Sequence, residues 1–337
     1  MMSKKLLIVG SNSIHVFNFI ELIKNYFDEV LLLTDNEHQK YSVKTVAVDF
    51  RLNTNSFKNI KRIENIVTTF QPTVVHIHQA NSYAFLTLLA IRNHKIKKVL
   101  TAWGSDILIN PKRNLFFKLM TQYSLKSADY ITADSNIVLE EASRLVSGKL
   151  KTYNINFGIE KIECMYPKEN IIYSNRLHKD IYNIDKIIIS FSKFIENNNN
   201  WKLVIAGRGS DTEKLKALVK KLKLSYCVEF IGFVDNKTNF EYYCKSKIYV
   251  SIPSSDSVSL SLIEAIVSSS IPFVSNLPAN HEIIKNSIGF IVDDLENIPF
   301  ELYSKINIDN FNKERDKIEF LFSKEYNRQR YIEIYEN

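Results

Sequence analysis

Cysteine is scarce: Cys164, Cys227 and Cys244 are the only three in 337 residues. They are scattered, odd in number and lack the paired spacing of metal ligands. This argues against a zinc site or a disulfide framework and suits a reducing cytoplasm. No stretch reaches the ~18 uninterrupted apolar residues that a membrane-spanning helix needs. The apolar run Leu6–Val9, after Lys4 and Lys5, stops at Gly10; it is too short for a signal-peptide core and reads as a first buried strand. No internal repeat occurs, and no low-complexity segment beyond the Asn197–Asn200 turn. What remains is 45 % apolar and 24 % charged residues, the balance of a soluble globular protein, at a length that suits two domains.

The net charge of +7 is uneven: residues 1–163 hold 21 Lys and Arg against 14 Asp and Glu, and the remainder holds 23 of each. A basic first half implies an anionic neighbour, such as a phospholipid surface or a pyrophosphate-linked acceptor, or else plain lysine enrichment. Nucleic acid is the remote case, because basic and aromatic residues do not interleave and no nucleic-acid-binding motif is present.

Short β-branched runs alternate with helical patterns, the signature of βαβ units and parallel sheets. Strands are predicted at Leu6–Val9, Val30–Leu33, Val74–His78, Val99–Ala102, Tyr130–Ala133 and Thr152–Ile155. After a break around Asn156–Pro167 they resume at Ile171–Ser174, Leu203–Ala206, Val228–Ile231, Ile248–Ile252, Phe273–Ser275 and Phe290–Val292. The fold class is α/β: two Rossmann-like, doubly wound domains facing across a cleft, at residues 1–160 and 161–310. The charged, aromatic tail 311–337 is expected to be helical and to pack on existing structure. Ligands of such sheets sit beyond the carboxyl ends of the strands, so the loops there are the places to look.

The richest loop runs from Ile252 through Asp256 to Glu264. A strand end, a small-residue loop and then a helix whose N-terminus contains Ser257, Ser259 and Ser261 would leave free backbone amides for a diphosphate. Glu264, about two turns on, can accept hydrogen bonds from ribose hydroxyls. An N-capping Asp and a solvated helical Glu would give the same pattern. Gly10 after the first strand allows close approach to a phosphate. His15 is either a solvated helical residue or faces substrate. In Val75–His78 the two histidines point to opposite faces; His78 is nearer the functional edge and His76 reads as structural. Asp106, in Thr101–Asp106 at the end of a strand, reads by itself as a capping residue in a turn. The segment Pro111–Lys126 is cationic, with Leu115, Phe116, Leu119, Met120 and Tyr123 at helical spacing. It either rests in a membrane interface or packs that stripe on the sheet, the more ordinary outcome.

The stretch Asp256–Glu264 resembles the signature of glycosyltransferase family 4, two acids spaced E-x7-E, with Asp256 in the first place. Ile271–Glu282 is similar to the run that follows it in that family; Ala206–Gly209 and Phe230–Val234 match the loops that line the nucleotide pocket. The resemblance implies the GT-B fold, with the C-terminal helix crossing back to the first domain. It implies a nucleotide-sugar donor, UDP rather than GDP, held by Gly10, Arg176, Gly207, Phe233, Val234, Asp256, Ser257, Val258, Ser259, Leu260 and Glu264. An acceptor saccharide, free or lipid-linked, would lie near His15, His78, Trp103 and Asp106. Catalysis with retention is assigned to Arg176, Asp256, Asp106 and His15, with the leaving diphosphate taking the acceptor proton. No cofactor and no metal are expected, since no D-x-D stands at a strand end. The family's second phosphate-binding cation, five positions after Arg176, is Ile181 here; Lys179 or His178 could stand in. A cytoplasmic enzyme of surface-glycan synthesis, peripheral on the inner membrane face, is the expectation. A nucleotide-sugar 2-epimerase and a non-catalytic sugar-nucleotide-binding subunit are the alternatives.

Overall fold

The computed structural model describes residues 3–36, 42–256, 258–284 and 288–337. The chain forms two units, Met1–Gly158 with Lys324–Asn337, and Ile159–Ser323. The first contains β1 (Lys5–Val9), β2 (Glu29–Thr34), β3 (Lys44–Ala47), β4 (Val74–His78), β5 (Lys97–Thr101), β6 (Tyr130–Ala133) and β7 (Thr152–Asn154). They make one seven-stranded parallel sheet, ordered β3-β2-β1-β4-β5-β6-β7. The second contains β8 (Glu169–Ser174), β9 (Lys202–Ala206), β10 (Val228–Gly232), β11 (Ser246–Ser251), β12 (Ile271–Ser275) and β13 (Phe290–Val292). Its parallel order is β10-β9-β8-β11-β12-β13.

Both faces of each sheet are covered, so the strands read as unbroken apolar runs rather than alternating ones. Along β1, Leu7 and Val9 join one core with Leu33, Val75 and Ile77, while Leu6 and Ile8 join the opposite core with Leu32 and Val74. Every expected strand is found within two residues of its expected limits. The strand that sequence reading missed is β3. Among the described residues it pairs only with β2, and it is exposed or half-buried throughout, so an edge strand of sequence Lys-Thr-Val-Ala carries no apolar run to recognise.

Three expectations change. The tail is two helices, not one element. Ile308–Leu321 belongs to the second unit, burying Phe311 and Ile318 in its core, with Arg315 donating to Ser269 Oγ at 2.7 Å. Only Lys324–Glu336 belongs to the first, where Tyr331, Ile332, Ile334 and Tyr335 are buried. The Tyr335 hydroxyl lies 2.6 Å from His76 Nδ1, and His76 Nε2 lies 2.7 Å from Thr101 Oγ1, so His76 is a structural histidine.

The cysteines also depart from expectation. Cys164 and Cys244 form a disulfide, leaving Cys227 free and buried. The two are 80 residues apart in sequence, and only the fold brings the approach to β8 beside the end of the Asn236–Lys245 helix. Finally, the Leu115–Ser127 helix does not bury the apolar stripe that its periodicity offers. Met120, Thr121, Ser124 and Leu125 face inward, whereas Leu115, Phe116 and Leu119 are exposed.

Candidate functional site

Where strand order reverses in a parallel sheet, the connections leaving the two strands turn to opposite faces and a crevice opens beyond their carboxyl ends. The reversal lies between β8 and β11 in the second sheet and between β1 and β4 in the first. Most of the sequence-predicted residues lie at these two places, whereas Gly207 follows β9, and Phe233 and Val234 follow β10.

In the second unit, Asn175 and Arg176 follow β8, and residues Ile252–Ser259 lead from β11 into the Leu260–Val267 helix. The two loops are laced together. Ser254 N donates to Ile181 O at 2.8 Å, and Asn183 Nδ2 donates to Ile252 O at 2.8 Å and Ser254 Oγ at 2.9 Å. Arg176 spans them. Its guanidinium donates to Ser259 Oγ at 2.8 Å, pairs with Asp256, and stacks 4.7 Å above the Tyr182 ring. With its side chain only 12 % exposed, it is a cation fixed beside the free amides of a helix start, where an anion is best stabilised. The Val258 side chain is buried in the core and Leu260 is half-buried, so at Val258 the backbone is what faces outward chemistry. Ser257 lies outside the described residues.

The Gly207 loop is shaped by Arg176 itself. A Cβ on Gly207 would stand 2.6 Å from Arg176 O, and its φ of +104° suits glycine. Gly207 N donates to Gly232 O at 2.7 Å, tying this loop to the next, where Phe233 is 77 % exposed and Val234 is half-buried. Glu264 lies one turn into the Leu260–Val267 helix, and burial lifts its carboxyl to about 7 against a hydrogen bond from Tyr243 that lowers it. Burial raises the Tyr249 phenol too, with Arg176 opposing the rise and Glu264 adding to it. One tyrosine therefore senses both charges, and Arg176 and Glu264 converge on one region.

In the first unit, Gly10 sits against His78: a Cβ there would be 3.2 Å from His78 Cβ and 2.8 Å from Val16 Cγ2. The exposed His15 packs edge-on to Trp103 at 5.1 Å, and His78 lies 6.0 Å from the same ring. Both His78 ring nitrogens and Trp103 Nε1 are buried without a hydrogen-bond partner among the described residues. Burial, with His15 nearby, pulls the His78 pKa down to about 3, so the ring is neutral. Asp106 is 3 % exposed and accepts from Ala80 N at 2.7 Å and Trp103 N at 3.0 Å. Its expected role at the acceptor is corrected: both oxygens are taken up by backbone amides, and it staples the Trp103 loop.

A family model described as glycosyl transferase 4-like matches residues 4–135, and one described as glycosyl transferases group 1 matches residues 160–298. A glycosyltransferase from Rickettsia africae superposes with a TM-score of 0.81 at 17 % identity, covering 100 % of this chain and 98 % of its own. The Anabaena protein HepE in complex with UDP gives a TM-score of 0.81 at 10 % identity, with 98 % of each chain covered. The chain belongs to the GT-B glycosyltransferases. Family 4 fits the matched models. The lipopolysaccharide outer core galactosyltransferase WaaB also shares the fold, with a TM-score of 0.71, 12 % identity and 98 % coverage of both chains. No curated protein sequence matches it.

In this GT-B glycosyltransferase the stand-ins expected for the missing second cation divide. His178 is 1 % exposed, its Nδ1 lies 2.9 Å from Thr212 Oγ1, and burial lowers its pKa; it is a buried structural residue, poorly placed to serve as a spare cation. Lys179 is exposed, as is Ile181 at 43 %. Sequence reading missed the layer beneath Arg176. Tyr173 OH and Asn175 Nδ2 donate to Asn239 Oδ1 at 2.7 and 3.0 Å, Asn175 Nδ2 donates to Tyr243 OH at 2.7 Å, and Tyr249 OH donates to Asn175 Oδ1 at 3.1 Å. These members look like ordinary strand and helix residues, and only their meeting makes a network. Within the Ala206–Gly209 loop, the guanidinium nitrogens of Arg208 lie 3.1 and 3.2 Å from the position of a Cβ on Gly232, beside the exposed Phe233.

Proposed function

We propose that this glycosyltransferase moves a sugar, with retention of anomeric configuration, from a UDP-sugar to a saccharide acceptor, free or lipid-linked, in the assembly of a bacterial surface glycan. The carrying observation is Arg176, fixed against Ser259 and Asp256 at the start of the Leu260–Val267 helix. The diphosphate is assigned to this cation and the amides of Val258, Ser259 and Leu260, the ribose to Glu264, and the base to Phe233 and Val234. Asp256 reads donor-sugar hydroxyls once the diphosphate draws Arg176 away. Support for UDP comes from HepE, solved in complex with UDP and with UDP-glucose. The acceptor is assigned to the first unit, near His15 and Trp103, with His78 as a neutral partner beneath them.

The leaving diphosphate takes the acceptor proton on the face from which it departs. Arg176 and the helix amides stabilise its developing charge, so neither a protein nucleophile nor a divalent cation is required. Residence on the cytoplasmic face of a membrane suits a lipid-linked acceptor. Among the described residues no helix is long and apolar enough to cross a membrane.

The test is UDP binding by calorimetry, followed by transfer from UDP-sugars to oligosaccharide acceptors in excess EDTA. Arg176→Ala is expected to weaken UDP binding by about 10- to 100-fold, the worth of a charge-assisted contact, and to abolish turnover. Turnover lost to EDTA removes metal independence; wild-type affinity in Arg176→Ala removes the site. The exposed Ile181 in place of a second cation favours one rival, a sugar-nucleotide-binding subunit. It binds UDP-sugar without turning it over.

A further inference from the structure

The first half's excess positive charge is not used by the donor site, which lies in the second unit. Part of it is gathered along Ser105–Ala128, where Lys112, Arg113, Lys118 and Lys126 are exposed and the only acid, Asp106, is buried. The Leu115–Ser127 helix is capped by Asn114, whose side chain accepts from Phe117 N at 3.0 Å. Its inward face is complete with Met120, Thr121, Ser124 and Leu125. The outward face carries Leu115 at 69 %, Phe116 at 54 % and Leu119 at 55 % exposure, and Ile109 in the preceding turn is 52 % exposed. On the helical wheel Leu115, Phe116 and Leu119 are neighbours, with Lys118 and Lys126 on the same outward arc. Single exposed apolar residues need no explanation, but a contiguous group rimmed by cations does. Helix packing does not require these side chains outside, since the fold is satisfied by the other face.

We propose that this face docks on an anionic lipid bilayer. Leu115, Phe116, Leu119 and Ile109 enter the boundary between headgroups and acyl chains, and Lys112, Arg113 and Lys118 lie among the phosphates. A protein partner fits less well, because interface cores are depleted in lysine. A nucleic acid gains nothing from leucines placed between the cations. The docking stands on the exposed face alone; its consequence, that a lipid-linked acceptor is met at the surface, rests on the transferase reading.

The experiment is co-sedimentation of the full chain with mixed phosphatidylglycerol–phosphatidylcholine vesicles and with pure phosphatidylcholine vesicles, at low and high salt. Binding is expected to the mixed vesicles only and to weaken as salt screens the cations. Reversing Lys112, Arg113 and Lys118 to Glu should cost at least about fivefold per position. The triple variant Leu115→Ser, Phe116→Ser, Leu119→Ser should cost more than tenfold in total, since it removes the apolar surface that inserts. Both sets should keep the wild-type unfolding midpoint of the first unit, read by circular dichroism, which shows that they fold. Reversing Lys58, Lys61 and Arg62, exposed on the Ser56–Phe70 helix of the same unit, should leave vesicle binding almost intact. Equal loss in that control means bulk charge, not this face, and overturns the proposal. So does wild-type binding in the serine variant, or a concentration-dependent dimer that the serine variant abolishes without any vesicle binding. Transfer that fails on every acceptor while vesicle binding persists removes the transferase reading and leaves the docking.

Discussion

Glu264→Gln should make the protein more stable and its donor site worse, with pH separating the two effects. Burial holds the Glu264 carboxyl at about 7 in place of the usual 4.5. A carboxyl raised on folding binds its proton more tightly in the folded chain than in the unfolded one. The resulting preference for the folded state is complete below about pH 4.5 and disappears as pH rises through about 7. At 1.36 kcal/mol per pH unit, the charged carboxylate costs the folded protein about 3 kcal/mol in mildly alkaline solution. Glutamine keeps the size and the ability to accept from Tyr243 and has no charge to bury. Urea unfolding of the two proteins should give nearly equal stability at about pH 4 and a glutamine variant up to about 3 kcal/mol more stable at about pH 8. UDP affinity of the same variant should fall about 10- to 100-fold at the higher pH, because a carboxylate accepts more strongly than an amide. A stability difference that does not change with pH, or a variant less stable above pH 7, refutes the premise that this carboxylate is buried at a cost.

Gly207→Ala would set a methyl 2.6 Å from Arg176 O at a φ of +104°; UDP affinity should drop at least about tenfold while the first unit unfolds at its wild-type midpoint, measured by calorimetry and by circular dichroism of separate transitions. Asp106→Ala orphans the Ala80 and Trp103 amides and should destabilise the first unit by about 1–3 kcal/mol, with UDP affinity unchanged; a donor-binding defect without loss of stability would contradict the staple. Alkylation in denaturant should label one cysteine, Cys227, without reductant and all three after reduction, as read by mass spectrometry; three labels without reductant would remove the disulfide.

The doubly wound architecture was legible because strands covered on both faces have to be apolar throughout, and Leu6–Val9, Val74–His78 and Leu203–Ala206 announce themselves on that ground alone. An edge strand has no such obligation, and β3 went unread. The glycines and acids of the proposed donor site stand out in sequence for a local reason too. A helix start, a carboxylate one turn in and a glycine where backbone must pass are all properties of short segments, and Gly207, Asp256 and Glu264 carry them in sequence.

What tertiary structure decided is everything that depends on a second segment. Asp106 had the sequence of an exposed turn residue, but two backbone amides, at Ala80 and Trp103, claim its oxygens. His178 had the charge type of a phosphate ligand, but the Gly209 loop and Thr212 bury it. Cys164 and Cys244 meet across 80 residues. The Leu115–Ser127 helix had one apolar stripe that sequence would put inside, and the neighbouring elements selected another face of the same helix. Periodicity says that a helix has an apolar side; which side is covered depends on what lies next to it, and that is a property of the folded chain.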